Sequence, residues 1–213
     1  MDKYRYRNIL LDMDGTLWDA VDTYTAIWNE TYRRMGIDAE VKRADLLDCM
    51  GMTLGKIIER IAPKYIDAAA FTKVLREVDD ELMPRLGGRL YPGVRESLAQ
   101  LAEHFGLYMV SNCGPKGLEY FLQYTGLGEY ITDTLTNGQT HLPKADNIAL
   151  LMQRHHLTDC VYVGDTQSDC DAAHRAGIDM IYVDYGFGHA ADADYRFGLF
   201  GALADFLLTP LSK

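Results

Sequence analysis

Short apolar runs that stop abruptly at a polar residue recur along this chain. Ile9-Leu10-Leu11 ends at Asp12, and Leu107-Tyr108-Met109-Val110 ends at Ser111. Val161-Tyr162-Val163 ends at Gly164-Asp165, and Met180-Ile181-Tyr182-Val183 ends at Asp184. Unbroken apolar runs of this length suit strands buried on both faces, as in a parallel sheet. Between them the apolar period lengthens to that of a helix. After Pro92-Gly93, the residues Val94, Leu98, Leu101, Ala102 and Phe105 fall on one helical face. Ile148, Leu151, Met152 and His155 repeat the spacing, and residues 171–177 close a shorter helix at Gly177. Strands alternating with helices predict an α/β fold, a Rossmann-like parallel sheet flanked by helices.

Residues 18–87 break that alternation. They read as consecutive helices over 20–35, 53–61 and 67–83, with no strand-like run of similar quality between them. An insertion of that size is too large for an ordinary loop. It predicts an all-helical domain set into an α/β domain made of residues 1–17 and 88–213. Residues 16–18 and 87–92 would be the two connections. No internal repeat and no low-complexity tract interrupts the pattern.

In an open parallel sheet the carboxyl ends of the strands share one edge, and ligands bind there. Asp12 and Asp14, Ser111 and Asn112, and Asp165 and Asp169 are therefore expected in one crevice, although up to about 150 positions separate them in the chain. Asp12-Met13-Asp14-Gly15 taken alone also suits a simple turn. With Asp165 ending another buried strand, the residues describe a cluster of carboxylates. Such a cluster repels itself unless it is protonated or holds a cation, and oxygen-only ligands favour Mg²⁺.

These residues resemble the four spaced motifs of the haloacid dehalogenase-like superfamily. Asp12-Met13-Asp14-Gly15-Thr16-Leu17 is similar to the first motif and Ser111-Asn112 to the second. Lys144 resembles the third, and Gly164-Asp165-Thr166-Gln167-Ser168-Asp169 the fourth. The helical block resembles that family's cap, and the order of motifs agrees from residue 8 to about 186. The resemblance implies a Mg²⁺-dependent phosphatase acting on a small phosphorylated metabolite, phosphoglycolate-like or a sugar phosphate. Asp12 would be the nucleophile, forming an aspartyl phosphate, and Asp14 the acid and base. Asp12, Asp165 and the Asp14 backbone carbonyl would hold the metal, with Asp169 in support. Ser111, Asn112 and Lys144 would bind the phosphoryl group. The third motif often reads Lys-Pro, whereas Ala145 follows Lys144 here, and Lys116 is the competing cation. Thr16, Trp18, Trp28, Thr53, Lys56 and Arg60 are candidates for shaping the substrate pocket.

Two other readings share these residues. A phosphomutase of the same superfamily usually carries an arginine in the cap loop where Leu54 stands. A noncatalytic receiver-like phosphoaspartate domain would not carry so large a helical insertion.

Composition narrows the partners. Across 213 residues, 31 acidic against 21 basic side chains give a formal net charge of −10. That disfavours nonspecific contact with nucleic acid or an anionic membrane, and no apolar run is long enough to span a bilayer. The first residues lead into an apolar stretch too short for a signal-peptide core. Cys49, Cys113, Cys160 and Cys170 form no C-x-x-C pair, as expected of reduced thiols in a cytoplasmic protein. Gly51-Met52-Thr53-Leu54-Gly55-Lys56 has the wrong spacing for a phosphate loop, and Ile57 stands where Ser or Thr is required. Gly186-Phe187-Gly188 reads as a glycine turn at the rim of the crevice, and the histidines show no metal-ligand spacing. Oligomeric state is not legible in the chain.

Overall fold

The computed structural model describes residues 3–211. The chain enters through β1 (Asn8–Leu11), forms the short β2 (Trp18–Asp19), and then runs through four helices. These are α1 (Val21–Met35), α2 (Arg43–Leu47), α3 (Leu54–Ile61) and α4 (Ala68–Leu86), after which β3 (Arg89–Leu90) returns. There follow α5 (Val94–Ala102), β4 (Gly106–Ser111), α6 (Gly117–Thr125), β5 (Asp133–Thr136), α7 (Asn137–Thr140) and α8 (Lys144–Arg154). The chain ends with β6 (Cys160–Gly164), α9 (Gln167–Ala176), β7 (Asp179–Val183), β8 (Tyr195–Phe197) and α10 (Phe200–Leu207).

Six strands pair in the order β5-β4-β1-β6-β7-β8, every pair parallel. The Rossmann-like α/β fold expected from the apolar runs is therefore present. Side chains alternate across the sheet. Ile9, Leu11, Val161 and Val163 meet α5 and α10 through Leu98, Leu101, Phe200 and Leu203 on one face. Leu10, Tyr162 and Met180 meet Ile148, Leu151 and Ala173 of α8 and α9 on the other. All four cysteines are free, and among the described residues no helix is long and apolar enough to cross a membrane.

Two strands of the six-stranded sheet were not legible as strands, and β2 and β3 lie in stretches read as connections. Asp133-Thr134-Leu135-Thr136 and Tyr195-Arg196-Phe197 form β5 and β8, the two edges of the sheet. An edge strand is covered less completely, so it needs no continuous apolar run. Helix α9 also starts four residues before the expected 171. Thr166 caps it by accepting from the Asp169 N–H at 3.2 Å, and Asp169 Oδ2 accepts from the Thr166 N–H at 3.0 Å. The Thr166-x-x-Asp169 pattern is the signature of such a reciprocal cap.

The stretch between β2 and β3 holds α1 to α4 and no strand, with α2 added to the three expected helices. Helix α4 continues through Pro84 to Leu86, beyond the expected end at 83. Trp28, Tyr32 and Phe71 form an aromatic cluster between α1 and α4, with ring centroids 5.1 to 6.0 Å apart. The two connections are not loose. Trp18 pairs with Leu90 in an antiparallel ribbon, and its ring stands edge-on to Phe121 of α6 at 5.0 Å. Both rings are fully buried. Truncating Phe121 to Ala should leave a cavity at this joint and cost about 3–5 kcal/mol of stability in urea denaturation. A loss below about 1 kcal/mol would show that the ribbon does not depend on this contact.

Candidate active site

Strands β4, β1 and β6 are neighbours, so Asp12, Ser111 and Asp165 emerge side by side at one sheet edge. Asp12 extends β1 by one bond, donating its N–H to Val163 O at 2.9 Å. The chain then turns at Gly15, whose φ of 83° lies in the left-handed region. A Cβ there would stand 2.1 Å from Asp165 Oδ2. Only glycine lets the Asp12 loop and the Asp165 carboxylate come so close.

Asp12, Asp165 and Asp169 each present a carboxylate oxygen, all within 4.8 Å of one another and all buried. Lys144, at the first turn of α8, enters this cluster. Its Nζ donates to Asp12 Oδ1 at 2.8 Å and to Asp169 Oδ1 at 2.5 Å, with the Tyr162 ring face 5.7 Å below. Asp169 Oδ2 is taken by the Thr166 N–H and by its hydroxyl at 2.7 Å. Asp165 Oδ2 accepts the N–H groups of Phe187 and Gly188, at 2.7 and 3.3 Å. The Gly186-Phe187-Gly188 turn thus has a defined use, and Thr16 adds a marginal contact to Asp165 Oδ1 at 3.5 Å.

One ammonium faces three carboxylates, and the acids feel it. Burial pushes Asp12 up to about 6 even though Lys144 pulls it down. Burial, reinforced by Asp169 and Asp12, holds Asp165 well above the usual carboxylate range. Burial disfavours the Lys144 charge, yet Asp12 and Asp169 keep it well above the ordinary lysine range. An all-oxygen donor set with excess negative charge fits a hard divalent cation such as Mg²⁺.

Asp14 stands apart from this cluster. Its carboxylate turns towards Trp18, whose indole N–H donates at 2.9 Å, and towards Tyr24, whose hydroxyl reaches both oxygens at 3.2 and 3.1 Å. Burial, then the charge of Asp12, pushes it up to about 7, with Tyr24 and Trp18 opposing. A carboxyl group poised near neutrality can both give and take a proton. Tyr24 had no recognisable sequence pattern; it is one of several polar residues on a helix.

A cavity of about 200 Å³ opens above Asp12 and Asp14, between the sheet edge and α1 to α4. Ser111, Asn112 and Lys144 line its floor, and Trp28 and Leu54 its upper wall. The Ser111 hydroxyl accepts from the Cys113 N–H at 3.3 Å, which leaves its own O–H to donate. Asn112 Nδ2 donates to Gly51 O of the loop before α3 at 2.8 Å, and its Oδ1 is buried without a partner. Burial pushes the Cys113 thiol up to about 12, so it stays protonated. Trp18 and Thr16 are fully buried and serve the carboxylates rather than the cavity wall. Thr53 precedes α3, Lys56 and Arg60 are exposed, and none of the three lines the cavity. Lys116 does, but its ammonium is engaged by Asp80 at 2.7 Å.

Residues 9–183 match the model of the haloacid dehalogenase-like hydrolases. The chain belongs to that family. This hydrolase is 28% identical to the phosphoglycolate phosphatase of Vibrio vulnificus, over 98% of its own length and 99% of that protein's. It is 30% identical to the phosphoglycolate phosphatase of Synechococcus elongatus, over 94% and 91% of the two chains. Among solved structures, a haloacid dehalogenase-like family hydrolase from Streptococcus pneumoniae superposes with a TM-score of 0.82 at 20% identity, covering 95% of this chain and 99% of that one. That likeness is one of fold alone. The family and the curated relatives together support a phosphatase.

The raised carboxyl groups have a consequence for stability. Asp12 and Asp14 hold protons in the folded hydrolase that the unfolded chain has already released, from about pH 4 up to about 6 and 7 respectively. Stability without divalent cations should therefore fall as pH rises from about 4 to about 7, read as a lower urea midpoint. The Arg-bound Glu30, lowered to about 2, titrates below that window and does not offset the trend. Lys144→Met strands two buried carboxylates and should cost about 3–5 kcal/mol at about pH 8, less at about pH 5. A cost independent of pH would contradict the charge-compensation account.

Proposed function

We propose that this hydrolase is a Mg²⁺-dependent phosphatase that releases phosphate from a small phosphomonoester metabolite through an aspartyl phosphate on Asp12. One observation carries the reading. Asp12 lies on the floor of the cavity, joined to Lys144 at 2.8 Å, beside Asp165 and Asp169 on one side and the near-neutral Asp14 on the other.

The residues divide the work as follows. Lys144 keeps Asp12 ionised and adds positive charge where the phosphoryl group docks. The Ser111 hydroxyl donates to a phosphoryl oxygen, and the Asn112 segment frames the same oxygens while its side chain ties down the Gly51 loop. A carboxylate oxygen of Asp12 attacks phosphorus, and the bond to the leaving oxygen breaks. Asp14 gives that oxygen its proton, with Tyr24 and Trp18 holding the resulting carboxylate. The Asp14 carboxylate then takes a proton from a water that attacks the phosphorus. The Asp12–phosphorus bond breaks, and inorganic phosphate leaves. Asp12, Asp165 and the Asp14 carbonyl, with Asp169 in support, would hold Mg²⁺, which supplies charge neutralisation between two anionic reactants.

Residues 18–87 are read as a cap domain and residues 1–17 and 88–213 as the catalytic domain, with the β2–β3 ribbon as their joint. Leu54 in the cavity wall offers no cation for a second phosphate, which favours hydrolysis over phosphoryl shuttling within a sugar phosphate.

Phosphate release should be measured over p-nitrophenyl phosphate, phosphoglycolate, sugar phosphates and nucleotides, with and without Mg²⁺. Release is expected only with the metal. Asp12→Asn should abolish it by more than about 1,000-fold, and Asp14→Asn should slow it about 100- to 10,000-fold. Retained activity in Asp12→Asn would remove the nucleophile assignment.

A further inference from the structure

The cavity above Asp12 has an uneven wall. Ile27, Trp28, Leu46 and Ile57 make much of it apolar, but the side formed by α4 presents acids. Asp80 is engaged twice, by Lys116 at 2.7 Å and by the Tyr120 hydroxyl at 2.6 Å. Asp79, the residue before it, also lines the cavity and has no hydrogen-bond or ion-pair partner among the described residues. Burial, then the charge of Asp80, pushes its carboxyl up to about 6, with Lys116 pulling the other way.

The position of Asp79 relative to the reacting groups gives it meaning. Its charge acts on the Tyr24 hydroxyl and on the Cys113 thiol, and Tyr24 donates to Asp14. Asp79, Tyr24 and Asp14 line one cavity, the one in which Asp14 would protonate the leaving oxygen. The organic half of a substrate held in that cavity would lie beside the Asp79 carboxyl. A carboxylate there would meet a second carboxylate and find little to hold it. Lys116 and Lys144 are committed to Asp80 and to Asp12 and Asp169. Arg76 lines the cavity too, but it is exposed, so water screens its charge. Asp79 is half-buried, and its carboxyl is an acceptor on the cavity wall with no protein donor among the described residues, open to a donor that a ligand brings.

We propose, building on the phosphatase reading above, that Asp79 selects the leaving group. The substrate is a phosphomonoester whose organic half carries a hydrogen-bond donor, a hydroxyl or an ammonium, and esters that end in a carboxylate are disfavoured. The relatives named as phosphoglycolate phosphatases act on such an ester by their names, so this chain would differ from them in substrate.

Three esters of equal chain length separate the cases: 2-hydroxyethyl phosphate, 2-aminoethyl phosphate and phosphoglycolate, each assayed for kcat/KM with Mg²⁺. The unsubstituted protein should favour one or both donor esters over phosphoglycolate by at least about tenfold. Asp79→Asn and Asp79→Leu should each shrink that ratio to within about threefold of unity. The ratio is taken within one protein, so a general loss of activity cancels. Phosphoglycolate turned over as well as the donor esters, or a preference that survives both substitutions, would overturn the proposal. p-Nitrophenyl phosphate separates the two levels of failure. No Mg²⁺-dependent hydrolysis of it removes the phosphatase reading and this proposal together, whereas hydrolysis of it without donor preference removes only the role of Asp79.

Discussion

The Lys144 ammonium, buried between Asp12 and Asp169, is the interaction on which the rest of the site depends. It joins the end of β1, the first turn of α8 and the first turn of α9, three elements remote in sequence. A lysine or a carboxylate placed alone at such depth would lose its charge or its position. Together they remain ionised enough to keep the sheet edge closed. One ammonium does not neutralise the set, and the unspent negative charge would favour a cation there. Burial raises the Asp12, Asp14 and Asp165 carboxyls, and a neighbouring carboxylate adds to the effect at each of them.

In the proposed reading, chemistry and selection fall to different parts of the chain. The sheet edge carries the groups proposed as nucleophile, acid and cation ligands, all fixed by strand ends and helix first turns. The helices between β2 and β3 supply most of the cavity wall. Specific contacts tie the two regions together: Asn112 holds Gly51, Tyr24 reaches Asp14, Asp80 takes Lys116 and Tyr120, and Trp18 seats on Phe121. Each joins a helical-block or ribbon residue to one of the α/β layer. A substrate bound in the cavity would touch both regions at once, so its fit to the helices would decide how well the sheet edge works on it.

How much of this could be read beforehand follows from what each residue needs. The central strands announced themselves because burial on both faces demands unbroken apolar runs, and the carboxylates at their ends then had to share one edge. The edge strands β5 and β8 escaped notice because half-exposed strands tolerate threonine, aspartate and arginine. Lys144 could be placed only by its order relative to Asp12 and Asp165, since a lysine opening a helix is ordinarily a solvated charge. Tyr24 and Asp79 were invisible. Each sits on an amphipathic helix among other polar residues, and which of them points into a cavity depends on how α1 and α4 pack on the sheet edge. Lys56 and Arg60 failed to reach the cavity for the matching reason: α3 buries Ile57 and Ile58 and turns its charges outward.

The central claim is that Asp12, Asp165 and the Asp14 carbonyl, with Asp169 in support, would hold one divalent cation. Crystals grown with Mn²⁺ in place of Mg²⁺, with diffraction collected at the manganese absorption edge, test it directly. The account predicts one strong anomalous peak within coordination distance of Asp12 and Asp165, with Lys144 still on Asp12. No peak there, or a peak elsewhere with the three carboxylates undisturbed, would contradict it.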